Sequence, residues 1–245
     1  MKIHATANTI ALFSTQEDPD KKRSIVRKAL REAHKAAKED DRGFAPYYQA
    51  LKTPARDYFA GGLKDPAGLL ALIARMERQQ KQATKENRLW HERDARGTAA
   101  VAKTLLALQP RFQDLDVSFV LPGPGTKAIL EFPDIDVSVT PDVYVQKIKN
   151  GAPLIGAMRL YTARGKAYQL GEKAAQLVAV MQYQWLVRVS TGKRMPISEL
   201  CMVLECFQER ITHAPVDPSL HLKRIEAATR EFARMWTLLD NQDAA

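Results

Sequence analysis

Residues 127–166 read KAILEFPDIDVSVTPDVYVQKIKNGAPLIGAMRLYTARGK, and the fold turns on how this stretch is read. Ile135, Val137 and Val139 alternate with Asp134, Asp136 and Ser138, the period of two expected of a strand with one buried face. Pro141-Asp142 interrupts the run and Val143–Ile148 resumes it. Lys149-Asn150-Gly151 then supplies the Asn-Gly pair of a tight hairpin, where both central residues need positive φ. Leu154–Tyr161 is the returning strand. Four carboxylates lie in the stretch: Glu131, Asp134, Asp136 and Asp142. Just before it, Val117–Leu121 reads as a short strand closed by the turn Pro122–Gly125, and Lys127–Phe132 as another.

Helical patterns flank this region on both sides. Residues 1–14 suit a short strand or an irregular arm. Asp18-Pro19 opens a helix, with an acid at the cap and Pro in the first turn. Its apolar face holds Ile25, Val26, Ala29, Leu30 and Ala33. Its other face is basic, with Lys21, Lys22, Arg23, Arg27, Lys28, Arg31, Lys35 and Lys38. Such a face suits phosphate contacts or plain solvation. The base-reading amides and stacking rings of a complete nucleic-acid helix are missing from it. Aromatic residues gather at Phe44, Tyr47, Tyr48, Tyr58 and Phe59, which reads as a packed helix–loop–helix corner or as a platform for bases. Asp65-Pro66 opens the next helix. A further helical pattern begins at Thr84 and stops before Pro110, as one bent helix with its predecessor or as a second helix.

Beyond the strand region, Gly171–Val189 is amphipathic, with Ala174, Leu177, Val178, Met181, Trp185 and Leu186 facing inward. LCMVLECFQERI, residues 200–211, reads as one buried central strand. A last helix starts near Ser219. The predicted fold is α/β, a central mixed sheet of about four to six strands flanked by helices. Residues 1–84 form an N-terminal helical region carrying the basic helix, and 85–245 form the core. The path from Tyr161 through a helix to Leu200 is a crossover, which permits a parallel pair.

Composition narrows the function classes. The 245 residues are 45% apolar and 27% charged, ordinary for a globular protein. No apolar run approaches eighteen residues, so no transmembrane helix is expected and a membrane is not among the expected partners. The N-terminus lacks a signal-peptide pattern, which makes the cytoplasm the expected location. The net charge of +9 suits a polyanionic partner. Cys201 and Cys206 are five apart on an extended segment and point to opposite faces, against a disulfide or a metal site. The five histidines lack ligand spacing, and no phosphate loop or nucleophile elbow is present.

The order helix, three antiparallel strands, helix, strand resembles the PD-(D/E)XK nuclease superfamily over about residues 85–212. The resemblance is carried by Pro141-Asp142-Val143-Tyr144-Val145, the hairpin, Ile155–Tyr161, the helix GEKAAQLVAVMQYQWL and the strand CMVLECF. In that family an Asp and an acid on the next strand bind a divalent metal, usually magnesium, and a lysine two residues later helps activate water. Asp142 matches the first acid. Ala157 stands at the second, and Arg159 at the lysine, where a guanidinium keeps the charge but cannot act as a base. The resemblance therefore implies a degenerate site serving nucleic-acid binding or protein interaction, without a cofactor. The alternative is an active Mg-dependent nuclease whose acid has migrated. Asp142 and Glu172 would then hold the metal, with Lys166 and Arg159 as further catalytic residues and Glu131, Asp136 or Glu92 as additional oxygen donors. In either case Lys21, Lys22, Arg27, Lys28, Arg31 and Lys35 are the expected nucleic-acid contacts. A third reading docks the same basic helix on an acidic protein partner.

Overall fold

The computed structural model describes residues 2–38, 48–123, 126, 128–163, 169–190 and 192–243, with residues 35–38 and 243 described by their backbone. The chain is α/β. It begins with β1 (Ile3–Thr6), α1 (Ala7–Thr15), α2 (Pro19–Lys38) and α3 (Gln49–Ala60). The helical pair α4 (Ala67–Lys85) and α5 (Leu89–Ala107) follows, then the short α6 (Gln109–Gln113). The strand region comprises β2 (Ser118–Val120), β3 (Ile129–Glu131), β4 (Ile135–Ser138), β5 (Val143–Lys149) and β6 (Ala152–Tyr161). Then come α7 (Gly171–Val189), β7 (Met195–Pro196), β8 (Met202–Glu205), β9 (Arg210–His213) and α8 (Ser219–Asp243).

One device opens three of these helices. Asp18, Asp65 and Asp217 each precede a proline, and each carboxylate accepts the backbone N–H two residues on, from Asp20 (2.9 Å), Ala67 (2.9 Å) and Ser219 (3.0 Å). The side chain satisfies a donor that the first helical turn leaves unpaired. The helical pattern from Thr84 resolves into a second helix, because the chain turns at Asn87, whose φ is 55°, and α5 folds back along α4.

The larger sheet has the order β2-β5-β6-β8-β9, with β7 also paired to β6. β2, β5 and β6 run antiparallel, β6 and β8 are parallel across the α7 crossover, and β8 and β9 form an antiparallel pair. Two expectations change. β3 and β4 do not join this sheet: β4 pairs with β3 and, in parallel, with β1. Pro133 and Pro141 bracket β4 and cut its ladder off from β5, and the N-terminal strand supplies the partner. Residues 200–211 are not one strand, since the chain turns after Glu205 and re-enters the sheet at Arg210, with Glu209 at a φ of 52°.

Both faces of the larger sheet are buried. Val143, Val145, Met158, Met202, Leu204 and Cys206 pack under α3, α4 and α5. Ala157, Cys201 and Val203 face α7, in a core that continues through the smaller sheet to α1, α2 and α8. Both cysteines are buried and free, on opposite faces. Residues of α1 and α2 belong to one core and those of α3 and α4 to the other. No helix of the described residues is long and apolar enough to cross a membrane.

β6 passes so close to the segment before β8 that only glycine fits at position 156. A Cβ there would lie 2.1 Å from the Leu200 carbonyl oxygen, and backbone cannot swing aside as a side chain can. Gly156→Ala is expected to destabilise the fold by about 3 kcal/mol or more, lowering the melting temperature by roughly 6–12 °C. Gly68→Ala, where nothing lies within 4 Å, is the control and should leave it unchanged or slightly raised. A Gly156→Ala chain that melts with the wild type would refute this packing.

Candidate nucleic-acid interface

The Asn150-Gly151 turn, with φ of 51° and 77°, fixes the register of β5 against β6. Val143 pairs with Met158 and Tyr144 with Ala157, so Asp142 stands across from Arg159. The Asp142 N–H donates to the Met158 carbonyl (2.9 Å). Its Oδ2 accepts the Leu160 N–H at 2.8 Å, and the Arg159 guanidinium lies 3.6 Å from the same oxygen. Arg159 also donates to the Thr140 carbonyl at 2.8 Å. The carboxylate thus ties the end of β4 and the β5–β6 pair to one guanidinium.

Where the family resemblance asks for a second acid, Ala157 is fully buried. With its amide nitrogen turned to donate, Gln182 of α7 reaches the carbonyls of Ala157 (3.3 Å) and Met202 (3.2 Å). A divalent cation wants several oxygen ligands, and Asp142 shares its Oδ2 with a backbone N–H and a guanidinium. The described residues around Asp142 fit an ion pair better than a metal. No group of three or more His, Cys, Asp or Glu side chains that could hold a metal ion forms among the described residues. Glu172 is an exposed acid in the first turn of α7. Lys166 lies outside the described residues. Asp136, on the separate β4, pairs with Lys2 at 2.6 Å.

The cations gather beside this pair. A cleft of about 970 Å³ is lined by Lys28 of α2, Arg93 and Arg96 of α5, and Arg159 of β6, with Tyr48 and Tyr161 between them. None of its described lining residues is acidic. Arg93 and Arg96 are exposed and make no hydrogen bond or ion pair among the described residues. Arg159 also lines a narrower cavity of about 100 Å³, beside the hydroxyls of Thr6, Ser138 and Thr140. A concave surface carrying charge of one sign focuses its field outward and concentrates counter-ions.

The basic face of α2 divides. Lys28 enters the cleft, Arg27 and Arg31 flank an adjoining hollow, and Lys21 is exposed. Lys22 points the other way, to Glu231 of α8 at 2.7 Å and over the Phe13 ring. The side chain of Lys35 lies outside the described residues.

Glu205 is a residue that sequence patterning passes over. It is fully buried at the end of β8. Its Oε1 accepts the N–H groups of Leu170 (3.1 Å) and Gly171 (3.3 Å) at the start of α7. Its Oε2 accepts from Arg210, at 2.8 Å from Nε and with Nη2 as a second donor. The signal was an acid closing an apolar strand, with its cross-strand arginine five residues on. Tyr161 pairs with Glu205 across β6 and β8, and burial, reinforced by that carboxylate, pushes its hydroxyl up to about 12.

Comparison with protein-family models, with curated proteins and with solved structures finds no match for this chain.

Native Tyr161 holds its proton to about pH 12, whereas an unfolded tyrosine loses it near pH ~10. The stability this group contributes is therefore complete below about pH 10 and is lost as pH rises through about 12. In thermal melts from about pH 8 to about pH 11, Tyr161→Phe is expected to lose melting temperature less steeply than the wild type. Identical slopes would show that Tyr161 does not carry this alkaline sensitivity.

Proposed function

We propose that the chain is a nucleic-acid-binding module on a nuclease-like α/β scaffold, with the cleft between α2, α5 and β6 taking the sugar-phosphate backbone. One observation carries the reading: four cations from three separate elements meet on one cleft whose described lining includes no acid. Three of the four are arginines, whose planar fork matches phosphate oxygens in pairs. Lys22 is engaged by Glu231, so the isolated face of α2 is a poorer polyanion surface than its sequence suggests. The cleft is the richer one.

The arrangement of β2, β5, β6, α7 and β8 supports the nuclease-like comparison, with an antiparallel group, a crossover helix and a parallel strand in the expected order. Binding rather than hydrolysis is favoured by what surrounds Asp142. Arg159 cannot accept a proton at neutral pH, and Ala157 offers no ligand. In this reading Asp142 positions Arg159 at the edge of the cleft.

Fluorescence anisotropy with labelled DNA and RNA at increasing salt tests the binding. Affinity should fall steeply with salt, because each neutralised phosphate releases counter-ions. Arg93→Ala/Arg96→Ala should reduce the slope of log affinity against log salt by about 1.4–1.8 and leave the melting temperature unchanged, since both side chains are exposed. Absence of binding at low salt, or a slope indifferent to the double substitution, would overturn the assignment.

The degenerate site is tested separately. With Mg²⁺ or Mn²⁺ and single- or double-stranded DNA or RNA, the wild type should show no cleavage beyond that of Asp142→Ala. A cleavage activity abolished by that substitution would restore the hydrolytic reading.

A further inference from the structure

We infer that the cleft selects single-stranded nucleic acid by stacking an unpaired base on Tyr48, an inference that rests on the reading of the cleft as a backbone-binding surface. Tyr48 is held with unusual strictness. Its φ is 66°, the left-handed region that side chains other than glycine rarely adopt and that clusters at functional positions. Its N–H donates to the Asp94 carboxylate at 2.8 Å. Its ring edge lies over Gly97, where a Cβ would come within 2.5 Å of Cε1 and 2.9 Å of Oη. Phe207 flanks the ring at 5.8 Å between centroids, inclined by 57°.

These constraints set an aromatic ring in the basic cleft, between α5 and Phe207. Arg93 and Arg96 project from the turn of α5 that carries Gly97, so two guanidiniums stand beside the ring. Tyr48 packs against the edge of the core that buries Tyr58 and Phe59, and it is half-buried where it lines the cleft. A basic groove with an aromatic platform is the combination that binds single strands, because every unpaired base offers a π-face. A base inside a duplex has both faces covered by its neighbours. The cleft volume of about 970 Å³ is that of a site for a small molecule or a few nucleotides. A duplex could touch the rim without reaching the ring.

The test compares three probes by fluorescence anisotropy at one fixed salt: an oligothymidylate, an abasic oligonucleotide of equal length and a hairpin duplex. The wild type should prefer the oligothymidylate. Tyr48→Ala should weaken it roughly ten- to a hundredfold, Tyr48→Phe should retain it, and the salt slope should be the same in all three proteins. The abasic probe should bind wild type and Tyr48→Ala alike. Gly97→Ala displaces the ring without removing it and should reproduce the loss on oligothymidylate, which separates stacking from misfolding of Tyr48→Ala. Equal binding of oligothymidylate by wild type, Tyr48→Ala and Gly97→Ala, with dependence on Arg93 and Arg96 intact, would overturn the stacking inference alone. So would a duplex bound as tightly as the single strand. No binding of any probe at low salt would overturn this inference and the backbone-binding reading together.

Discussion

The Glu205 carboxylate is the interaction on which the rest of the structure depends. Burying a charge costs several kcal/mol unless its oxygens are satisfied, and here two backbone N–H groups and an arginine satisfy them. The donors come from the start of α7 and from β9, while the acceptor ends β8. One group therefore locks a helix N-terminus, the central parallel strand and the sheet edge into a single geometry. The positive end of the α7 dipole adds to the attraction. Tyr161, paired with Glu205 across the strands, inherits its place from that lock, and Arg159 lies two residues before it on the same face.

Two cores meet back to back on the larger sheet, and the cleft opens where both are present. α5 comes from the core on one face, α2 from the core on the other, and β6 belongs to the sheet between them. No single element of this chain could bring Lys28, Arg93 and Arg159 together. The charges converge only after both faces of the sheet have been covered, so the basic surface is a product of tertiary structure rather than of a basic helix. Rigidity follows from the same arrangement, since each cation stands on a helix or a strand rather than on a loop.

The sequence carried some of this plainly. The Asn150-Gly151 turn fixes the β5–β6 register, and the register alone places Arg159 against Asp142 and Ala157 one pair further in. The three Asp-Pro helix starts are equally local. What stayed hidden was nonlocal. The alternation from Ile135 to Val139 marks a strand but not which sheet it joins, and its partner, the short IHAT of β1, reads as a strand or an arm without saying what it pairs with. The LCMVLECFQERI segment conceals a turn because Glu209, not Gly or Asn, takes the left-handed position. Arg93 and Arg96, three apart near the start of α5, look like any solvated helical face. Nothing local distinguishes them from Arg75 and Arg78, which a different packing leaves away from the cleft.

The parallel pairing of β1 with β4 also orders events in time. Residues 3–6 have no strand partner until residues 135–138 exist and have emerged from the ribosome. α2 is fastened to α8 by Lys22 and Glu231, 209 positions apart, and Arg224 of α8 holds Ser14 at the end of α1. α1 and α2 must therefore wait for α8, and closing so long a loop belongs late in folding. During synthesis the apolar faces of α1 and α2 stand uncovered while the middle of the chain is built. Removing β1–α2 or removing α8 would strip the same core, because these segments, distant in sequence, are neighbours in the molecule.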